Sequence, residues 1–479
     1  AAQRIVEKHA GAGYSCIIIG DRGHAEVDGL LGYAAGRGHV VESEEDVKAL
    51  PDMERVCIVS QTTQEAERFE ELTGLVKERF GDVLVYKTIC EATSQRQREL
   101  LDIAHRADVV IVVGGEASAN TRRLVEISQG TGTPTIHVQT AEELQLDSIG
   151  PRTVVGITAG ASTPHWVIRN VVEAIERRQL SGRPWPVRLG VGMANFAIYS
   201  SLLLAVGAVF LTFTSVSLMR IPFDSMDALL AFCYVLSMHI INKRLSTQGD
   251  ERLLFGNLKS FYRHKDALSA IGVCCILIAL AAGLFLGKII AALIILSVIL
   301  GFLYSLPIIP QKLAQHFRYR KLMDIPGSKD IFMAAAWGFV VVLIPALHRN
   351  SLNILPFLLT LVAVIPLVMM RSILLDMRDI EGDIVLGRET LPILLGPRRM
   401  KYLVRGILAL MFAAPLAGWL SGVTPPFALA LCLVPFYLLL NYPLSRRQAL
   451  YQSLVYDGFL EGQFLLAGVL MFIARHLAS

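Results

Sequence analysis

The chain has 479 residues, 53% of them hydrophobic, and its mean hydropathy of +0.51 excludes an ordinary soluble protein. The formal net charge of +4 is unevenly divided: residues 1–183 carry 20 Lys and Arg against 27 Asp and Glu, whereas residues 184–479 carry 25 against 14. Nearly all long apolar runs lie in the second part, and we expect no nucleic-acid partner for either part.

This division predicts two domains of different class. Residues 1–180 are expected to form an α/β domain with a mainly parallel sheet, because apolar runs alternate there with helix-like segments. Residues 189–479 are expected to form an all-α polytopic membrane domain. The linker between them, residues 181–188, lies in a stretch rich in Arg, Gly and Pro.

Polar residues of the first domain fall where predicted strands end. "YSCIIIG" and "ADVVIVVGG" each read as a buried strand that is followed by a small-residue turn and a helix. In parallel sheets, ligands bind at the carboxyl ends of the strands, where helix N-termini favour anions. The polar residues expected in such turns are His24, Glu26, Thr62, Cys90, Ser118, Asn120 and Ser162.

Taken singly, each of these residues has an ordinary structural explanation. Ser118 and Asn120 are of the types that cap helices. Solvated loop positions would account for His24 and Glu26, and a buried thiol would account for Cys90. These explanations stay open at the level of single residues.

Taken together, five segments of residues 1–180 resemble the LytB/IspH family of iron–sulfur reductases. They are "GHAEVDG", with Ala25 where Pro is usual, "SQTTQ", "CEATSQRQ", "VVGGEASANTRR" and "GITAGASTP", in the family's order. The resemblance implies reduction of hydroxymethylbutenyl diphosphate to isopentenyl and dimethylallyl diphosphates. It also implies a [4Fe–4S] cluster and an electron donor such as ferredoxin or flavodoxin.

The same resemblance implies a role for each motif residue. Cys90 would be one thiolate ligand of the cluster, and Glu26, aided by Thr62, would supply protons. Thr93 would help to shape the substrate site. The diphosphate would be held by His24, Ser118, Asn120 and Ser162.

The family also requires two further cysteines and another histidine, which its members carry in their N-terminal third. A cubane cluster needs thiolates on three irons even when the fourth is open, so Cys90 alone does not hold one. We therefore expect an upstream segment before Ala1 that contains one cysteine near its start and another shortly before Ala1. A start codon at Ala1 would instead favour a diphosphate-sensing role without redox chemistry.

The second domain contains nine apolar runs that are long enough, or nearly so, to cross a membrane. The loops at 243–266, 306–329, 376–401 and 443–457 contain 18 Lys and Arg, against three in the opposite loops. The positive-inside rule therefore predicts a cytoplasmic N-terminal domain on an inner-membrane protein. The runs lie at 190–217, 226–242, 267–286, 289–305, 331–347, 354–375, 402–419, 427–442 and 457–474.

Three aspartates, Asp376, Asp379 and Asp383, follow the sixth run at its cytoplasmic end. At this spacing they lie within about 60° of one helix face, where their charges repel unless a cation lies between them. Mg²⁺ binds one or two carboxylates together with phosphate oxygens, and nearby basic residues such as Lys312 suit a polyanion. The alternative is an ordinary charged helix end that is held by partners such as Arg378.

The stretch "DMRDIEGDIVLGRETLPILLG" resembles the second aspartate motif of UbiA-type membrane prenyltransferases. This family transfers a prenyl group from a diphosphate donor to an acceptor, and it uses Mg²⁺ held by two aspartate motifs. The resemblance implies Asp376, Asp379 and Asp383 as Mg²⁺ ligands and Arg388 and Lys312 as diphosphate-binding residues.

The first aspartate motif of that family is altered in this chain. The corresponding stretch reads "NKRLSTQGD", in which Asn242 and Asp250 match as metal ligands, whereas Lys243 and Ser246 replace two aspartates. Either fewer metal ions bind and Lys243 contacts phosphate directly, or the domain belongs to a divergent branch of the family; loss of catalysis is a further alternative.

The sequence thus predicts a LytB-like reductase domain joined to a UbiA-like membrane prenyltransferase. The expected partners are prenyl diphosphates, a prenyl acceptor that the sequence does not identify, and the lipid bilayer. Two alternatives remain: a first domain that only senses diphosphate, and a membrane domain that acts as a transporter, since intramembrane acidic residues also mark ion paths.

Overall fold

The computed structural model describes residues 2–89, 91–246, 257–306, 321–385, 389–441, 443 and 454–478. The chain separates into two compact units, Ala1–Arg183 and Pro184–Ser479. Within the predicted linker, one helix ends at Ser181 and the next begins at Trp185.

The first unit alternates strands and helices, as its sequence predicts. Apolar β-branched runs form the central strand or strands of each sheet, which are buried on both faces, and amphipathic segments form the covering helices. The elements are α1 (Ala2–Gly11), β1 (Ser15–Ile19), α2 (Ala25–Tyr33), β2 (Gly38–Val41), α3 (Glu44–Ala49), β3 (Arg55–Ser60), α4 (Ala66–Arg79), β4 (Asp82–Val85), α5 (Glu91–Ala104), β5 (Val109–Val113), α6 (Ala119–Gly130), β6 (Thr135–Val138), β7 (Val155–Ala159) and α7 (His165–Ser181).

The strands form two parallel sheets, in the orders β2-β1-β3-β4 and β6-β5-β7. In the first sheet, Cys16 of β1 lies opposite Cys57 of β3, and both thiols are buried in an apolar core. Because β1 pairs with β3, and β5 with β7, the turns that follow each pair lie side by side.

The second unit is helical in the described residues. Its helices are α8 (Trp185–Tyr199), α9 (Leu202–Leu218), α10 (Ser225–Ser246), α11 (Asn257–Arg263), α12 (Lys265–Leu286), α13 (Lys288–Ser305), α14 (Ser328–Gly338), α15 (Ile344–His348), α16 (Ile354–Val385), α17 (Leu391–Leu420), α18 (Val434–Leu439) and α19 (Leu454–Ala478). A π-helical segment, Phe339–Leu343, joins α14 to α15, and a 3₁₀ segment, Pro426–Leu433, precedes α18.

The predicted count of nine spans is too high. Among the described residues, seven helices are long and apolar enough to cross a membrane, or eight if the bent pair α8 and α9 forms one span. The run at 190–217 is this pair, which bends by 70° between Tyr199 and Leu202. The run at 427–442 contains only the shorter apolar stretch Pro426–Leu439, which begins at a proline pair.

Candidate functional site

The turn after β1 and the turn after β3 meet at a carboxylate. Thr62 donates to Glu26 twice: its backbone N–H lies 3.2 Å from Oε1, and its hydroxyl lies 2.9 Å from Oε2. His24 caps α2, and its Nδ1 accepts from the Glu26 N–H at 3.2 Å. The structure therefore brings together three residues that the sequence predicts to share a site.

Close packing of the two turns holds this arrangement. The Asp21 N–H donates to the Gln61 side-chain oxygen at 2.8 Å. A Cβ atom added at Gly20 would lie 2.7 Å from that same oxygen and 2.9 Å from Val27. Only glycine fits the end of β1 here, because any side chain would push the Gln61 turn away.

A second pair of turns, which follow β5 and β7, lies at the carboxyl edge of the other sheet. Ser118 caps α6, because its hydroxyl accepts from the Thr121 N–H at 3.4 Å. Helix capping is the structural alternative to a ligand-binding role for this residue. Asn120 is 9% exposed, yet neither its amide oxygen nor its amide nitrogen has a hydrogen-bond partner in the described part of the chain. Ser162 is exposed in the turn before α7. A buried amide without partners is costly, so this turn is suited to a polar ligand.

Glycines keep this second turn open for a ligand. A Cβ atom at Gly114 or Gly160 would lie 2.6 or 2.3 Å from the Thr121 hydroxyl. Gly114 also has a φ of +152°, which L-residues rarely adopt. The backbone of both turns therefore approaches the start of α6 closely, as anion-binding loops do.

Two further residues of the LytB-like motifs are Thr93 and Cys90. Thr93 is buried on α5, whereas Cys90 lies outside the described residues. The other two cysteines of this unit, Cys16 and Cys57, are buried within adjacent strands rather than at the turns. The two described cysteines of this unit therefore do not fit a [4Fe–4S] cluster.

In the second unit, the three aspartates lie on the last turns of α16. Asp376 and Asp383 are buried, and the Lys329 ammonium at the start of α14 pairs with Asp376. Arg378 donates to both oxygens of Asp379, at 2.9 and 3.1 Å. The carboxylates thus lie at a helix-packed site whose basic partners come from α14 and from α16 itself.

The altered first motif lies at the end of α10. The Asn242 amide oxygen accepts from the Ser305 hydroxyl at 2.9 Å. The Lys243 ammonium donates to the Tyr199 carbonyl at 3.0 Å and to the Ser201 hydroxyl at 2.8 Å. Its diphosphate contact stays a prediction, and Asp250, Lys312 and Arg388 lie outside the described residues.

The structure adds ionisable residues that the motifs do not include. Arg378 also donates to Asp457 of α19 at 2.7 Å, and Arg371 donates to Glu461 of α19 at 2.9 Å. Lys329 and Asp330 come from α14. In the sequence, each of these residues is a charged residue inside or beside an apolar run. Such residues are rare in membrane segments without a functional or structural reason.

Comparison with known proteins confirms both family resemblances. Residues 1–176 match the model of the LytB protein family, and residues 262–456 match the model of the UbiA prenyltransferase family. The 4-hydroxy-3-methylbut-2-enyl diphosphate reductase of Opitutus terrae is 44% identical over 172 residues, which are 36% of this chain and 60% of the relative. The reductase of Geobacter sulfurreducens is 43% identical over 178 residues, covering 36% of this chain and 62% of the relative.

Among solved structures, a UbiA homolog from Archaeoglobus fulgidus bound to DMAPP and Mg²⁺ is similar to the second unit. It is 15% identical, the match covers 58% of this chain and 98% of that one, and the TM-score is 0.41. The chain spans about 60% of the length of the curated reductases that it matches.

Proposed function

We propose that this chain, which joins a partial LytB domain to a UbiA prenyltransferase domain, acts in isoprenoid metabolism at the cytoplasmic face of the inner membrane. Its membrane unit transfers a prenyl group from a diphosphate donor to an acceptor. The observation that carries this proposal is the group of three aspartates at the end of α16, buried or half-buried against basic residues.

The donor set fits Mg²⁺, because carboxylate oxygens are hard ligands that leave positions for phosphate oxygens and water. Asp379 and Asp383 would hold the ion, with Asp376 beside them. When bound, the ion supplies Lewis-acid stabilisation to the departing diphosphate.

The residues of the chain orient these ligands and receive the substrate. Arg378, anchored on Asp457, fixes the Asp379 carboxylate in one rotamer through two hydrogen bonds. Lys312 and Arg388 bind the diphosphate of the donor. In the reaction, the donor C1–O bond breaks and the diphosphate leaves with the electron pair. A new bond then forms between C1 and the acceptor, and the acceptor loses a proton.

For the first unit we propose diphosphate binding at the carboxyl ends of the strands. His24, Ser118, Asn120 and Ser162 hold the diphosphate, and Thr93 borders the substrate. Glu26, oriented by Thr62, is placed to deliver protons as in a reductase that receives electrons from a ferredoxin or flavodoxin. No step is assigned to a cluster, because the described cysteines of this unit do not fit one.

A second candidate for the first unit is a diphosphate-sensing module. One observation favours it: the turns that would bind the diphosphate are formed, and binding there needs no redox group. In that case the unit binds isopentenyl diphosphate but transfers no electrons.

The test of the transferase uses membranes that contain the full chain. A labelled prenyl diphosphate is incubated with candidate acceptors, with and without EDTA. Asp379→Asn and Asp383→Asn should each lower transfer roughly a thousandfold, since a lost ligand removes several kcal/mol of stabilisation, and Asp376→Asn should matter less. The amide keeps the size of the side chain, so membrane insertion should survive.

The matched control is Asp266→Asn, which removes an exposed carboxylate at the start of α12. It should leave transfer unchanged. Transfer that is indifferent both to EDTA and to Asp379→Asn would show that the aspartates only end a helix.

A further inference from the structure

Asp330 is a buried carboxylate without a partner. It lies in the first turn of α14, is 1% exposed, and neither of its carboxylate oxygens has a hydrogen-bond partner in the described ranges. The hydroxyl of Ser372 on α16 faces it, but the two groups make no hydrogen bond of regular geometry. Burying an uncompensated carboxylate costs several kcal/mol, so the group is expected to take up either a proton or a cation, and the metal titration below distinguishes the two.

Asp330 lies beside the aspartates of α16 rather than in isolation. The Lys329 ammonium, one residue earlier in the chain, pairs with Asp376. Ser372, whose hydroxyl faces Asp330, lies one turn before Asp376 on α16. Asp330 and Asp376 therefore approach the same part of α16 from two helices, and in the described residues Lys329 pairs with Asp376 while the Asp330 oxygens accept no hydrogen bond.

The altered motif at the end of α10 leaves the site short of carboxylates. Lys243 and Ser246 stand where two aspartates are expected, and the Lys243 ammonium is bonded to the junction of α8 and α9. A divalent ion with fewer ligands from α10 needs oxygens from another helix. Among the described carboxylates near Asp376, that of Asp330 has both oxygens available.

We propose that Asp330 is a further ligand of the divalent cation that Asp379 and Asp383 hold, on the side of Asp376, and that it replaces a carboxylate missing from α10. Lys329 competes with this ion for Asp376 and moves off the carboxylate when the ion binds. The proposal deepens the proposed prenyl transfer by adding a ligand to its metal site, and it rests on that function for the identity of the ion.

The test measures metal binding without substrate. The full chain is purified in lipid nanodiscs and titrated with Mn²⁺, and free Mn²⁺ is followed by electron paramagnetic resonance. Asp330→Asn should weaken Mn²⁺ binding at least about tenfold, because changes even to residues behind the ligands cost 10–100-fold. Lys329→Gln should tighten binding, since it removes the competing charge from Asp376. A purely structural role for Asp330 does not predict these opposite effects.

The control is Asp266→Asn at the start of α12. Asp266 is an exposed carboxylate that pairs with Arg244 at 3.3 Å. This variant should bind Mn²⁺ like the wild type, which separates a local effect at Asp330 from the general loss of one negative charge.

The outcomes separate this inference from the proposed function. Asp330→Asn could bind Mn²⁺ with wild-type affinity while Asp379→Asn loses Mn²⁺ binding. This result would assign the ion to α16 alone and overturn the inference, but it would leave the proposed prenyl transfer intact. Absence of Mn²⁺ binding by the wild type would also overturn it. Asp330-dependent binding in a chain that transfers no prenyl group would support the site and refute the proposed function.

Discussion

At the scale of single residues, burial without a partner is what separates a binding group from a capping group. Ser118 and Asn120 lie two positions apart at the start of α6, and both are of types that cap helices. Ser118 does cap the helix, whereas both polar atoms of Asn120 lack partners in the described residues. Only the second observation points to a ligand, and the sequence does not contain it.

A first prediction concerns the affinity of the first unit for diphosphate. Asn120→Ala should weaken binding of isopentenyl diphosphate to the full chain by about 10–100-fold, because hydrogen bonds to a charged group are worth about 1.5–3 kcal/mol. Isothermal titration calorimetry measures the affinity. Asn170→Ala, on the half-buried side of α7, is the control and should bind normally. Unchanged affinity in Asn120→Ala would remove this residue from the site.

A second prediction concerns acid stability at the start of α3. Asp46 accepts from the backbone N–H groups of Glu42 and Ser43 at 2.9 and 3.0 Å and pairs with Arg22. These hydrogen bonds, chiefly that from Glu42, hold the pKa of Asp46 below its ordinary value of 3.8. A lowered folded-state pKa means that the stabilisation is complete above pH 3.8 and is lost as pH falls through the folded value.

Amide hydrogen exchange of α3, corrected for intrinsic rates, provides the measurement. Protection should decrease as the pH falls below 3.8. Asp46→Ala should lose about 1 kcal/mol of local protection at neutral pH and show little further loss in acid. Equal acid sensitivity of the variant and the wild type would assign the effect to another carboxyl group.

At the scale of elements, one lysine holds the junction of α8 and α9. The two helices bend by 70°, and Ser201 between them has a φ of 65° in the left-handed region. The Lys243 ammonium bonds to the last carbonyl of α8 and to the Ser201 hydroxyl. A cation at a helix C-terminus is favourable, so Lys243 stabilises a bend that the hydrophobic pattern alone does not specify.

The third prediction is that Lys243→Met destabilises the membrane unit. Loss of two charge-assisted hydrogen bonds should lower its thermal unfolding temperature in detergent, with a cost of about 1.5–3 kcal/mol or more. Lys288→Met, an exposed lysine at the start of α13, should unfold like the wild type. A fully stable Lys243→Met that has lost prenyl transfer would instead support the diphosphate contact expected from the motif.

At the scale of the whole membrane unit, buried ion pairs join helices that are distant in the chain. Arg371 of α16 and Glu461 of α19 are both largely buried and 2.9 Å apart, although 90 positions separate them in sequence. Arg378 and Asp457 repeat this link nearer the end of α16. The two pairs therefore determine which faces of α16 and α19 pack together. The face of α16 that carries Asp376 then lies against α14.

The fourth prediction is a strong coupling between Arg371 and Glu461. Glu461→Leu alone should cost about 3–5 kcal/mol, because it leaves a buried guanidinium without its counter-charge. The double variant Arg371→Met/Glu461→Leu should recover much of that loss. Thermal unfolding in detergent of the wild type, Arg371→Met, Glu461→Leu and the double variant gives the four free energies of a double-mutant cycle. Strictly additive losses would show that the two side chains do not depend on each other.

The sequence by itself determined the two classes of domain, the alternation of strands and helices, and the shared face of the three aspartates. Each of these follows from hydropathy and periodicity over 5–20 neighbouring residues, which is local information. The pairing of Glu26 with Thr62 was expected from the LytB resemblance, and the adjacency of β1 and β3 in the sheet brings the two side chains into contact.

Only the tertiary structure decided the number of spans, the bend between α8 and α9, and the partners of the buried charges. Hydropathy does not distinguish a straight span at 190–217 from a bent pair, because both bury the same apolar side chains. The partners of Lys243, Asp330 and Arg371 lie tens of residues away along the chain. The partner of each buried charged side chain depends on how the helices pack. Packing is a property of the folded unit rather than of any local sequence pattern.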